Sequence, residues 1–80
     1  MDKEILFITQ KGCEDCACMR RIVQDLCDYE HIKFQEISEH FEVSEWNVTK
    51  FPCTIILEDQ KEIARLNGLK PKSTIERELF

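Results

Sequence analysis

Cys13 and Cys16 are separated by only two residues, Glu14 and Asp15. Two thiols at this spacing can form a small, reversible disulfide. If a helix begins here, Cys13 lies beside free backbone N–H groups and the positive end of the helix dipole, which both stabilise a thiolate. Cys16 lies one turn further in and is less exposed. The motif therefore predicts thiol–disulfide exchange, in which Cys13 attacks a disulfide and Cys16 resolves the mixed disulfide.

The elements around the motif are a strand, a turn and a helix. Residues 4–9 form an apolar, β-branched run whose continuous hydrophobicity predicts a central strand buried on both faces. Gly12 supplies the turn. The helix is predicted from about Cys13 to Tyr29, because apolar residues recur there at helical spacing and would pack on a sheet: Met19, Ile22, Val23, Leu26 and Tyr29.

The chain continues with a second strand and a short helix. Residues 32–37 alternate between apolar and polar side chains, and the preceding helix has crossover length, so this strand is predicted to run parallel to the first. Ser38 is predicted to cap a short helix over residues 39–46, with Phe41 and Trp46 directed inward.

The last part of the chain predicts a hairpin and a helix. Residues 53–57 and 62–66 are β-prone runs joined by a tight turn at Asp59 and Gln60, which indicates antiparallel pairing. Pro71 favours the start of a helix over residues 72–79 that buries Ile75 and Leu79. The predicted order is βαβ, a short helical segment, then ββα.

Three stretches resemble motifs of the thioredoxin/glutaredoxin superfamily: Lys11-Gly12-Cys13-Glu14-Asp15-Cys16, Phe51-Pro52 and Asn67-Gly68-Leu69-Lys70-Pro71. The short chain and its Gly-x-Lys-Pro stretch are most similar to small glutaredoxin-like redoxins of the NrdH type. The resemblance covers essentially the whole chain. It implies one α/β domain over residues 1–80 with a minimal thioredoxin fold, in which helices flank a central four-stranded mixed sheet.

The resemblance also implies the layout of the site. Pro52 would follow a cis peptide bond and face the two cysteines, where a substrate segment can pair with the backbone. We expect Pro52, Phe51, Lys11 and Gly12 to contact the substrate. Two stretches differ from glutaredoxins on their glutathione-binding surface. Lys50-Phe51-Pro52 replaces Thr-Val-Pro, and Asn67-Gly68 replaces a Gly-Gly pair.

The implied function is that of a dithiol–disulfide oxidoreductase or electron donor. It needs no bound cofactor, because the thiol pair carries both electrons. The expected substrate is a disulfide-bearing protein, for which the resemblance suggests ribonucleotide reductase. The expected reductant is thioredoxin reductase or glutathione, and we expect the protein to act as a monomer.

Three further cysteines leave a second function open. Cys27 shares a helix face with Val23 and is predicted to lie in the core, whereas Cys18 lies about 200° around the helix from Cys16 and is predicted to point outward. Cys53 is either a buried strand residue or a third thiol near the pair. The alternative is therefore a module that binds zinc, copper or an iron–sulfur cluster through Cys13, Cys16 and Cys18 or Cys53.

The charge and the apolar runs exclude several classes of protein. The net charge of −5 argues against a surface for nucleic acid or anionic membranes, since both require a basic footprint. No apolar run approaches the roughly 18 residues of a membrane span. Three of the first four residues, Asp2, Lys3 and Glu4, are charged, and the apolar run that follows is too short for a signal peptide. We therefore expect a cytoplasmic protein.

Glu14 and Asp15 give a first testable prediction. Two carboxylates inside the motif oppose a nearby thiolate, so they should raise the pKa of Cys13. Replacing them together (Glu14→Gln with Asp15→Asn) should lower that pKa, which is measured from thiolate absorbance against pH. An unchanged pKa would show that the two acids only complement the helix N-terminus.

Overall fold

The architecture is a four-stranded mixed sheet with two helices packed on one face. A computed structural model describes residues 2–38 and 45–80. The sheet has the order β2-β1-β3-β4, built from the strands β1 (Lys3–Ile8), β2 (Lys33–Ile37), β3 (Cys53–Glu58) and β4 (Lys61–Asn67). The helices are α1 (Glu14–Glu30) and α2 (Lys72–Leu79). Each predicted strand and both longer helices are confirmed to within about two residues, the usual uncertainty of element ends.

Strand β1 is the centre of the sheet. It pairs in parallel with β2 and antiparallel with β3, and β3 pairs antiparallel with β4. The parallel pair is joined by α1, as a crossover requires. Ile5, Leu6, Phe7 and Ile8 are all buried. The continuous apolar run is therefore explained by burial on both faces of a central strand.

Each face of the sheet carries its own hydrophobic cluster. The helix-covered face, which packs against α1 and α2, comprises Ile5, Phe7, Met19, Val23, Leu26, Cys27, Ile56, Leu66, Ile75 and Leu79. The opposite face comprises Leu6, Ile8, Ile37, Cys53, Ile55 and Leu57, with Trp46, Val48 and Phe51 packed against it. Side chains of neighbouring strand residues alternate between the two clusters, which fixes the face of every residue in β1 and β3.

The orientation of α1 differs from the predicted one at its last turn. Tyr29 was expected to pack on the sheet, but it is 77% exposed. The buried arc of α1 includes Cys16 and Cys27, and its centre is therefore displaced from the predicted one. At about 100° per residue, Tyr29 lies about 110° from that centre, so its ring points into solvent. The ammonium group of Lys72 lies over this ring, 5.9 Å from its centroid.

The β3–β4 hairpin closes through a tight turn with two left-handed residues. Asp59 and Gln60 have φ angles of 52° and 67°, which is the conformation that a two-residue hairpin with the right twist needs. A register shift follows Ile56, and Ile63 is left without a partner on β3. This β-bulge was not predicted.

The predicted short helix lies largely outside the described residues. Its residues 39–44, including the expected anchor Phe41, are not among them. Glu45 is helical, and Trp46 packs against the opposite face of the sheet, as expected for an inward anchor. Among the described helices, none has the length and hydrophobicity needed to cross a bilayer.

Helix α2 is held to the sheet mainly by Ile75 and Leu79, which are 0% and 1% exposed. Ile75→Ala should therefore lower the free energy of unfolding by about 2–5 kcal/mol, because it leaves a cavity under the helix. The matched control Glu78→Ala changes an exposed residue of the same helix and should shift it by no more than about 0.5 kcal/mol. Urea denaturation measures both, and equal small effects would show that α2 is not docked as described.

Candidate functional site

The two cysteines of the motif lie where β1 leads into α1. Gly12 has a φ of 79°, a left-handed conformation that glycine adopts without steric cost, and it turns the chain into the helix. Cys13 is the N-cap of α1, and Cys16 lies in its first turn. Their sulfur atoms form a disulfide, with a Cα–Cα distance of 5.2 Å. This distance lies within the usual range for disulfides.

The environments of the two sulfurs are unequal. Cys13 is half-buried, whereas Cys16 is only 2% exposed. The backbone N–H of Cys16 donates a hydrogen bond to Sγ of Cys13, with a distance of 3.1 Å. After reduction the same N–H group and the helix dipole would stabilise a thiolate on Cys13. The geometry therefore suits Cys13 to attack and Cys16 to resolve.

Pro52 lies at the same end of the sheet. The Phe51–Pro52 peptide bond is cis, as the resemblance implied. Because Ile8 pairs with Cys53 in the antiparallel register, Pro52 comes just beyond the end of β1 that leads to Cys13. The carbonyl of Pro52 accepts a hydrogen bond of 2.8 Å from the backbone N–H of Gly68. The loops before β3 and after β4 therefore meet at this end of the sheet.

The other residues expected to contact the substrate lie at the same end of the sheet, but they differ in solvent exposure. Lys11 and Gly12 are exposed in the loop that precedes Cys13. Phe51 is half-buried and packs against the opposite face of the sheet. The fold thus gathers the four predicted positions into loops at one end of the sheet, with Lys11 and Gly12 the most accessible.

An ion pair that was not predicted from the sequence links α1 to β2 near this end of the sheet. Arg20 donates two hydrogen bonds to the carboxylate of Glu36, at 2.6 Å and 2.8 Å. The hydroxyl of Thr9 donates to the same carboxylate at 3.3 Å. The hydrogen bond with Glu36 raises the pKa of Arg20. Thr9 directly follows β1, so this link anchors the strand end from which the site loop departs.

The three remaining cysteines have different surroundings. Cys18 is exposed and Cys27 is buried, and both predictions are confirmed. Burial raises the pKa of Cys27 to about 11. Cys53 is 0% exposed, and its burial raises its pKa. It packs with Ile8 on the opposite face of the sheet, whereas Cys16 lies above the helix-covered face. The structure therefore favours a buried strand residue over a third thiol beside the pair.

A metal centre finds no support in this arrangement. Within residues 2–38 and 45–80, no three His, Cys, Asp or Glu side chains are grouped in a way that could hold a metal ion. Cys18 faces solvent and Cys53 points away from the helix, so neither joins Cys13 and Cys16 in one ligand set.

The comparisons with known proteins identify the fold. No protein-family model matches the chain, and no curated protein matches it. Thioredoxin 1 from Thermosipho africanus has a TM-score of 0.87 at 20% identity, covering 95% of this chain and 89% of that one. The thioredoxin NaTrxh from Nicotiana alata has a TM-score of 0.84 at 23% identity, with 98% and 70% covered. Thioredoxin from Fasciola hepatica has a TM-score of 0.84 at 17% identity, with 98% and 79% covered. The chain therefore has the thioredoxin fold, and the predicted α/β class is confirmed.

The burial of the cysteines predicts their reactivity. In the folded, oxidised protein only Cys18 should react with iodoacetamide, because Cys27 and Cys53 are buried and protonated at neutral pH. Mass spectrometry should find one adduct on the native protein and three after denaturation without reductant. Cys18→Ser is the control and should give no adduct on the native protein. Rapid native labelling of Cys53 would contradict its placement in the core.

Proposed function

We propose that this protein is a dithiol–disulfide oxidoreductase that donates electrons through Cys13 and Cys16. The disulfide at the start of α1 carries the proposal, because it combines a half-buried sulfur with a buried one beside a cis-proline loop. A purely structural disulfide has no need of this asymmetry. The thioredoxin fold of the solved structures supports the same chemistry.

The reaction begins with the reduced pair. The Cys13 thiolate attacks one sulfur of the substrate disulfide, and the other substrate sulfur leaves and takes up a proton. The Cys16 sulfur then attacks Cys13, which closes the Cys13–Cys16 bond and releases the second substrate thiol. The proton of the Cys16 thiol ends on this leaving sulfur. Two electrons have moved from the pair to the substrate, and no further group is required.

The loops at the disulfide end of the sheet would bind the substrate. The segment before Pro52 presents backbone groups with which an extended peptide around the substrate disulfide can pair. Lys11, Gly12, Phe51 and Pro52 surround this path. Pro52 shapes its floor, and Lys11 supplies a positive charge on the rim.

We further propose the NrdH-type, glutaredoxin-like role in the cytoplasm, with thioredoxin reductase as the reductant and ribonucleotide reductase as a substrate. The Gly-x-Lys-Pro stretch before α2 supports this subtype. The replacements at Lys50-Phe51-Pro52 and Asn67-Gly68 favour thioredoxin reductase over glutathione, because they alter the surface on which glutaredoxins hold glutathione.

The first test of the function traps the intermediate. Cys16→Ser removes the resolving sulfur, so the mixed disulfide between Cys13 and a substrate should accumulate and should be released by dithiothreitol. The matched control is Cys13→Ser, which should trap nothing. Both are made with Cys18→Ser, because the exposed Cys18 could form adducts of its own. Failure of the wild type to reduce insulin with dithiothreitol as electron source would contradict the function.

The second test separates the two reductants. The oxidised protein should be reduced by thioredoxin reductase with NADPH much faster than by glutathione with glutathione reductase. The readout is the rate of NADPH consumption in the presence of insulin. The opposite preference would favour the glutathione-dependent role and would contradict the NrdH-type assignment.

A further inference from the structure

Thr54 carries a buried hydroxyl that the fold does not satisfy. The residue is 0% exposed, and within residues 2–38 and 45–80 its Oγ1 atom has no hydrogen-bond partner. An unpaired buried hydroxyl destabilises a folded protein, whereas an apolar side chain of the same shape would not. Most buried polar groups in native proteins have partners, so this exception calls for a physical explanation.

The register places Thr54 on the helix-covered face of the sheet. It lies opposite Phe7 on β1 and Leu66 on β4, which both belong to the cluster under the helices. Its neighbours in the chain, Cys53 and Ile55, belong to the opposite face. Thr54 is therefore the first residue on this face of β3 after the cis-proline loop.

Helix α1 packs on this face of the sheet and begins at the end of the sheet where the cis-proline loop lies. Cys16 and Met19 are the first two buried residues of the helix. They lie about 4.5 Å and about 9 Å along the helix axis from Cys13. Thr54 lies about 7 Å along its strand from Pro52, at the same end of the sheet. Met19 already accepts a hydrogen bond from the backbone N–H of Lys70 through Sδ, at 3.5 Å. Of these two buried residues, Cys16 is the one whose sulfur becomes both a donor and an acceptor when the disulfide opens.

We propose that Thr54 is a positioning residue for Cys16, whose sulfur becomes its hydrogen-bond partner when the disulfide opens. In the oxidised protein the Cys16 sulfur has no proton to donate, and the Thr54 hydroxyl makes no hydrogen bond to it. A thiol both donates and accepts, and a thiolate accepts strongly. The hydroxyl is thus unpaired in the oxidised protein and paired in the reduced one. This difference favours the reduced state and holds the Cys16 sulfur ready to attack.

The inference rests on the proposed function, since it requires a pair that opens and closes. With dithiothreitol as reductant, the Cys13–Cys16 bond breaks and both sulfurs gain a proton. Dithiothreitol loses two electrons and two protons and closes its own disulfide. The equilibrium constant of this exchange compares the two redox states directly and does not depend on a protein substrate.

The experiment measures that constant for the wild type and three variants of Thr54. Thr54→Val keeps the shape and removes the hydroxyl, and it should shift the equilibrium toward the disulfide by about threefold to tenfold, the effect of one hydrogen bond. Thr54→Ala also lacks the hydroxyl and should shift it in the same direction. Thr54→Ser retains the hydroxyl and should stay within about twofold of the wild type.

Urea denaturation of both redox states tests for a merely structural role. Thr54→Val should stabilise the oxidised protein and not the reduced one. Equal stabilisation of both states, with an unchanged exchange constant, would overturn the inference while leaving the proposed function intact. A wild-type disulfide that dithiothreitol cannot open would overturn both. A shifted constant in a protein that fails to reduce insulin would support the role of Thr54 and overturn only the function.

Discussion

The antiparallel pairing of β1 with β3 is the constraint on which the site depends. It places Ile8 opposite Cys53, so the strand end that leads to Cys13 lies beside the loop that contains Pro52. A slip of one residue would exchange the two faces of β3 and move Cys53 under the helix and Thr54 away from it. The apolar residues of both strands resist such a slip, because each strand is buried on both faces. Core packing and site geometry are therefore consequences of the same register.

The parts of the fold that could be predicted are those in which local pattern and tertiary burial agree. The apolar run of β1 and the turn chemistry at Asp59 and Gln60 each point to one structure. The helix α2, Lys72–Leu79, has the predicted bounds. The position of Cys13 and Cys16 where β1 leads into α1 was equally predictable, since the strand, the turn and the helix each have a clear local pattern. In these regions every level of structure favours the same outcome.

The features that were missed depend on partners distant in the chain. Helical spacing identified the apolar residues of α1, but the angle at which the helix meets the sheet decides whether Tyr29 is covered. The bulge at Ile63 changes the pairing of β4 without any glycine or proline to mark it. Arg20 and Glu36 are 16 residues apart in the chain and are brought close only by the crossover. The sequence identifies Thr54 only as a β-branched strand residue, and its unpaired hydroxyl becomes evident only from its surroundings.

The β3–β4 turn has a consequence for engineering. Strand β3 runs from the disulfide end of the sheet to this turn, a length of about 20 Å. Asp59 and Gln60 both adopt left-handed backbone angles that cost little only for glycine, and asparagine tolerates them better than most residues. An Asn-Gly sequence there would relieve this strain far from the two sulfurs. The turn and the disulfide lie at opposite ends of β3. Thermal stability and redox chemistry can therefore be adjusted independently.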